Sequence, residues 1–99
     1  MLIIAGTFDI DVAQVDEFMA AASEMMKGTH SEEGCYAYAF SRDELAPGRV
    51  NLYEKWESQE HLEAHFVVAH MLAFQAAIAD ITLTRDVLKY QISSEGPVR

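Results

Sequence analysis

The chain contains a single cysteine, Cys35, so no disulfide can form within it and it has no structural need for an oxidising compartment. A lone small thiol inside a strand pattern is more often a packed core atom than a nucleophile. Basic residues are scarce, 7 against 16 acidic ones, which gives a formal charge of −9. That balance argues against nucleic acid and anionic membranes as partners, because both select basic patches. The acidic residues are scattered, as expected of a solvated surface. Long apolar runs are also missing. The opening Leu2-Ile3-Ile4-Ala5 is too short for a signal peptide or a membrane span, and no basic residue precedes it. A cytoplasmic protein is the expectation.

What is present is one domain's worth of chain, 99 residues of which 51% are hydrophobic. Met1–Phe8 is apolar on both sides of a pleat and reads as a strand covered on both faces. Asp9 or Asp11 can cap a following helix, roughly Val12–Thr29. Its apolar stripe runs through Val12, Val15, Phe18 or Met19, Ala22, and Met25 or Met26. Ser31-Glu32-Glu33-Gly34 breaks that helix. Cys35–Phe40 then alternates, with Tyr36, Tyr38 and Phe40 on one face and Cys35, Ala37 and Ala39 on the other. Pro47-Gly48 marks a hairpin loop. In the strand Val50–Trp56, Val50, Leu52, Glu54 and Trp56 share one face, while Asn51, Tyr53 and Lys55 share the other.

Ser58 can cap the second helical region, where Leu62, Phe66, Ala69 and Ala73 form one apolar stripe. Phe74, Ile78 and Ile81 form another, rotated from the first. The rotation predicts a bend, or two helices, near Val67–Met71. Leu83–Ile92 reads as a last strand and residues 93–99 as a loose tail, so the domain is expected to span 1–92. The order β-α-β-β-α-β is the split βαβ pattern of an α+β, ferredoxin-like fold with a four-stranded antiparallel sheet. Right-handed crossovers put the helices on one face. The other face, bare and partly apolar, predicts a homodimer with two sheets facing each other.

Chemistry concentrates between Glu54 and His70, which holds the single tryptophan and three of the four histidines. His61 and His65 are four apart on one helical face, but no third metal ligand is evident from spacing, so no metal is expected. His61 reads as a surface residue near the helix start. His65 lies beside the apolar stripe, facing the strand of Trp56; it is either a hydrogen-bonded core histidine or a base that titrates near neutrality. His70, beside the bend, could line the same cavity or hold the bend. Glu54 is a carboxylate on an otherwise apolar strand face and must pair or shift its pKa. The simplest partner for it is a helix histidine, His65 or His70. Trp56 would be core or the flat wall of a pocket for a planar ligand.

Glu54-x-Trp56-x-Ser58-x-x-His61-Leu62-x-Ala64-His65, followed by His70 and Phe74, resembles the antibiotic biosynthesis monooxygenase domain, and its quinol monooxygenase branch in particular. Glu33-Gly34-Cys35-x-x-Tyr38 is similar to the family's second-strand motif. The resemblance runs over roughly Met1–Ile92. It implies a dimeric α+β barrel and the oxidation of a small quinol or phenolic aromatic by dioxygen, without flavin, haem or metal. His65 would then be the base, Glu54 or His70 its orienter, and Trp56 a wall with an N–H donor. A haem-degrading branch shares the fold, but the first strand here, LIIAGTF, lacks that branch's asparagine. Two other roles fit the same family: a non-catalytic binding or stress-related module, and an isomerase or degrader of a small carbonyl signal, which would use acid–base chemistry without dioxygen.

Overall fold

A computed structural model describes all 99 residues. The strands are β1 Leu2–Ile10, β2 Cys35–Arg42, β3 Arg49–Trp56 and β4 Leu83–Gln91. They form one antiparallel sheet in the order β2-β3-β1-β4. The helices are α1 Val15–Thr29, between the first two strands, and α2 Gln59–His65 with α3 Ala69–Ala77, between the last two. This is the α+β ferredoxin-like arrangement expected from the element order.

Asp11 is the cap at the entry to α1. Its carboxylate accepts a hydrogen bond from the Ala13 amide, and Val12–Gln14 form a 3-10 turn before the α-helix begins. Val12 therefore lies outside the stripe and is exposed. The face that α1 buries is Val15, Phe18, Ala22, Met25 and Thr29, spaced three and four apart. Four phenylalanines join the layers: Phe8 on β1, Phe18 on α1, Phe40 on β2 and Phe74 on α3, with neighbouring ring centroids 5.4–5.7 Å apart. Several of these contacts are edge-on, the geometry that ring quadrupoles favour.

Two details of the pattern differ from expectation. Tyr36 does not share a face with Tyr38 and Phe40. The β2–β3 register shifts between Cys35 and Ala37, which turns Tyr36 out to solvent as the extra residue of a bulge. The stripe Leu62, Phe66, Ala69, Ala73 does not exist as a buried face either. Helix α2 buries Leu62 and His65, then tightens into i→i+3 hydrogen bonds from the Phe66, Val67 and Val68 amides. Val68 is extended, and α3 starts afresh with Phe74 facing inward, followed by Ile78 and Ile81 beyond its end. Two adjacent β-branched residues make this the weak point of the helical stretch. The break resets the helical phase, so residues on either side cannot form one stripe.

The helices pack mainly over β2 and β3 and on each other, so β4 is an edge strand with little cover. Gly6 lets it dock. A Cβ at this position would sit 2.0 Å from the Asp86 carbonyl oxygen and 2.7 Å from the Val87 Cα, both backbone atoms. Gly6→Ala should therefore push β4 from β1 and lower the unfolding free energy by about 2–3 kcal/mol, measured by urea denaturation.

Candidate functional site

Strand β3 points Val50, Leu52, Glu54 and Trp56 at the helices, and all four are buried. Trp56 and His65 meet with ring centroids 4.9 Å apart, and the Tyr38 ring lies 5.3 Å from His65. The carboxylate, the indole and the imidazole anticipated from sequence do converge. Their bonding differs from expectation. Glu54 binds neither histidine: its Oε1 accepts a hydrogen bond of 2.8 Å from Trp56 Nε1. The indole N–H is thereby occupied and is not available to a ligand.

The partner of the histidines is Glu32, which local spacing marks only as part of a helix break. Glu32 lies in the turn after α1. Its Oε2 is 2.8 Å from His65 Nδ1 and 2.7 Å from His70 Nε2. A carboxylate only accepts, so each imidazole carries a proton on the nitrogen that faces Glu32. For a neutral His65 this leaves Nε2 with its lone pair. That nitrogen is buried and has no hydrogen-bond partner. His70 reaches Glu32 by lying across Gly28 of α1. A Cβ at residue 28 would meet His70 Nδ1 at 2.6 Å, so no larger side chain fits there without moving the ring. The cluster that could hold a metal is not the His61–His65 pair of the helical spacing but Glu32, His65 and His70. One donor atom from each lies within 4.8 Å of the others, and the set could hold a metal ion if the two imidazole nitrogens gave up their protons. His61 stays apart, on the Ser58 hydroxyl at 2.7 Å and close to Glu57.

Between the helices and the sheet lies a cavity of about 430 Å³, the size of a small-ligand site. Its wall is mostly hydrophobic and includes Ile4, Tyr38, Leu62, Phe66 and Phe74, with Glu54 among them. Trp56 and His65 do not line it. Trp56 is therefore support behind the wall rather than the wall itself, and His65 packs against Tyr38, which does line the cavity. Burial pushes the Glu54 carboxyl up to about 7, against the lowering effect of the Trp56 hydrogen bond and with a further push from the Glu32 charge. Burial likewise drives the Tyr38 hydroxyl well above the usual phenol range, so it stays protonated as a donor.

A ferredoxin-like α+β domain with a half-open, mostly hydrophobic cavity and one carboxyl poised near neutrality has the features of a small-molecule site. Comparison with known sequences makes this specific. The antibiotic biosynthesis monooxygenase family matches residues 1–77, and the chain belongs to that family. It is 32% identical over 83 residues to an Escherichia coli K12 protein named probable quinol monooxygenase YgiN, covering 76% of each chain. It is 25% identical over 80 residues to the Synechocystis protein sll1783, covering 81% of this chain and 54% of that one. Among solved structures, one from Nitrosomonas europaea superposes with a TM-score of 0.87 at 20% identity, covering 95% of this chain and all of the other. Rv0793 from Mycobacterium tuberculosis superposes with a TM-score of 0.85 at 21% identity, covering 97% and 98%. These structural likenesses establish the fold.

The shifted Glu54 carboxyl makes stability pH-dependent. Its pKa is raised in the folded state, so its contribution is full below the unfolded value near 4.5 and is lost as pH climbs through about 7. Replacing it by Gln, which still offers Trp56 an acceptor, removes that loss. Glu54→Gln should match the parent in stability near pH 4.5 and exceed it by about 3 kcal/mol at pH 8.5, read from urea midpoints at the two pH values.

Proposed function

We propose that the protein is a cofactor-independent monooxygenase that oxidises a small quinol or phenolic aromatic with dioxygen. The observation that carries the reading is a carboxyl of near-neutral pKa set in the wall of an apolar cavity large enough for an aromatic ring. The likeness to the E. coli protein named probable quinol monooxygenase supports it. Glu54 is the base, because a base must touch the proton it removes and Glu54 is the carboxylate at the cavity surface. His65, first expected in that role, acts with Trp56 as support. Trp56 holds the Glu54 carboxyl by its hydrogen bond, and His65, fixed by Glu32, holds the indole face. His70 anchors the same carboxylate from α3.

In this scheme Glu54 takes the phenolic proton. The phenolate, stripped of water by the apolar wall, passes an electron to dioxygen, and the two radicals combine at a ring carbon. Loss of the proton on that carbon and of hydroxide from the peroxide leaves a second carbonyl. One phenol and one dioxygen give one quinone and one water, and Glu54 returns its proton to the departing hydroxide. A quinol gives up its two hydrogens by the same opening steps, and dioxygen then leaves as hydrogen peroxide, so one quinol and one dioxygen give one quinone and one hydrogen peroxide.

The domain, taken as residues 1–92, would act as a homodimer in the cytoplasm. The sheet face opposite the helices carries Ile3, Ala5, Tyr53, Leu88 and Tyr90 side by side, by the pairing of Ala5 with both Tyr53 and Leu88 and of Ile3 with Tyr90. Leu88 is 58% exposed and Tyr90 51% in the single chain. A second copy would cover this patch.

Two experiments test the reading. Purified protein should consume dioxygen with a panel of hydroquinones above the autoxidation rate, with kcat/KM rising through pH 7, and Glu54→Gln should reduce the rate at least about 100-fold. Uptake no faster than autoxidation, or unchanged in both Glu54→Gln and His65→Ala, rejects the enzyme. In light scattering after gel filtration, the protein should run at twice the chain mass, and the double variant Leu88→Glu, Tyr90→Glu at the mass of one chain.

A further inference from the structure

The cavity has a second polar end. Fourteen of its 17 lining residues are hydrophobic, and the three that are not are Glu54, Gln75 and Arg85. Arg85 stands out among the basic residues. Lys27, Arg42, Arg49 and Lys55 each pair with a carboxylate, Lys89 donates to Gln59, and Arg99, also unpaired, lies in the C-terminal tail away from the cavity lining. Arg85 makes no ion pair and no hydrogen bond; its guanidinium lies 5.2 Å from the centre of the Phe8 ring. Arg85 is exposed to solvent at the rim of the cavity, so its N–H donors are hydrated rather than committed to a protein partner and are open to an anionic group of a ligand. The cation–π contact with Phe8 steadies the guanidinium without using its N–H donors.

The sheet register sets the distance between the two ends. Glu54 lies opposite Ile4 of β1, and Arg85 lies opposite Phe8. Their rows are four residues apart along β1, roughly 13 Å of strand, and β3 and β4 flank β1 on opposite sides. Between the rows the cavity is lined by aromatic and aliphatic side chains such as Leu52, Phe40 and Phe74.

We propose that Arg85 anchors an anionic group of the substrate, so that the substrate is an elongated aromatic acid with a phenolic hydroxyl at one end and a carboxylate at the other. This rests on the reading of the cavity as the reaction site, and it goes further by naming which aromatics enter it. A compact phenol without an acid would leave the guanidinium unmatched. A short hydroxybenzoate could reach one end but not both.

The test is a matched pair of rigid probes, 4'-hydroxybiphenyl-4-carboxylate and 4-hydroxybiphenyl, titrated calorimetrically against the full chain under nitrogen. The parent protein should bind the acid at least about 10-fold more tightly than the neutral phenol, the scale of one charge-assisted contact. Arg85→Gln should bring that ratio to about 1, and Arg85→Lys should keep part of it; circular dichroism confirms that both variants fold. A ratio near 1 in the parent, a ratio untouched by Arg85→Gln, or no binding of either probe overturns the proposal. The two readings fail separately. Oxygen uptake with 4-hydroxybiphenyl but no preference for the acid leaves the oxidation standing and removes the anchor. A preference for the acid that depends on Arg85, without oxygen uptake, does the reverse.

Discussion

One carboxylate oxygen holds the site together. Glu32 Oε2 receives an imidazole from the end of α2 and another from the start of α3, within 2.8 Å of each. The two short helices are otherwise joined only by a tightened turn and an extended valine. Glu32 ties both to the turn after α1, across the segment most prone to drift. Each bond to a charged acceptor contributes more than a neutral hydrogen bond would, and His65 is almost wholly buried, so losing its acceptor would strand a polar nitrogen inside the core. The position of the cavity roof follows from this clamp, since Leu62, Phe66 and Met71 of the wall lie on the clamped segments or beside them.

Beneath the roof the electrostatics are set by the burial of Glu54. Glu54 sits among apolar side chains with one hydrogen bond, from Trp56, and that bond is too little to hold the carboxyl at its ordinary pKa. The Glu32 charge nearby pushes in the same direction as burial. The clamp that shapes the cavity thus also helps tune its titratable group. The two carboxylates divide the work: Glu32, with two imidazole donors, positions the helices, and Glu54, with a single donor, is left close to neutrality at the cavity wall. At the opposite end the Arg85 guanidinium, resting on Phe8, gives the cavity a direction from carboxyl to cation along the strands.

Much of this was legible before any coordinates. The element order, the buried face of β3, the Ser58 cap, the interrupted helix and the convergence of Glu54, Trp56 and His65 all follow from local periodicity, because alternation and helical spacing report directly which side of an element faces the core. Two misreadings of facing share one cause. Tyr36 was placed on the wrong face because a bulge inserts a residue into the alternation, and the stripe through Phe66, Ala69 and Ala73 failed because the break rotates one helix against the next. Local spacing carries the phase of an element only as far as the first irregularity.

The sequence by itself determined the fold, the family and the candidate residues 54, 56, 65 and 70, since these depend on pattern along the chain. Tertiary structure alone decided who binds whom. Glu32 is 33 residues from His65 and 38 from His70, and only the packing of α1 against α3 brings it to them. Likewise, Arg85 and Glu54 lie at two ends of one cavity only because β1 stands between their strands. Hydrogen bonds and cavities form between elements distant in sequence, and their partners are chosen by packing geometry that no local period encodes.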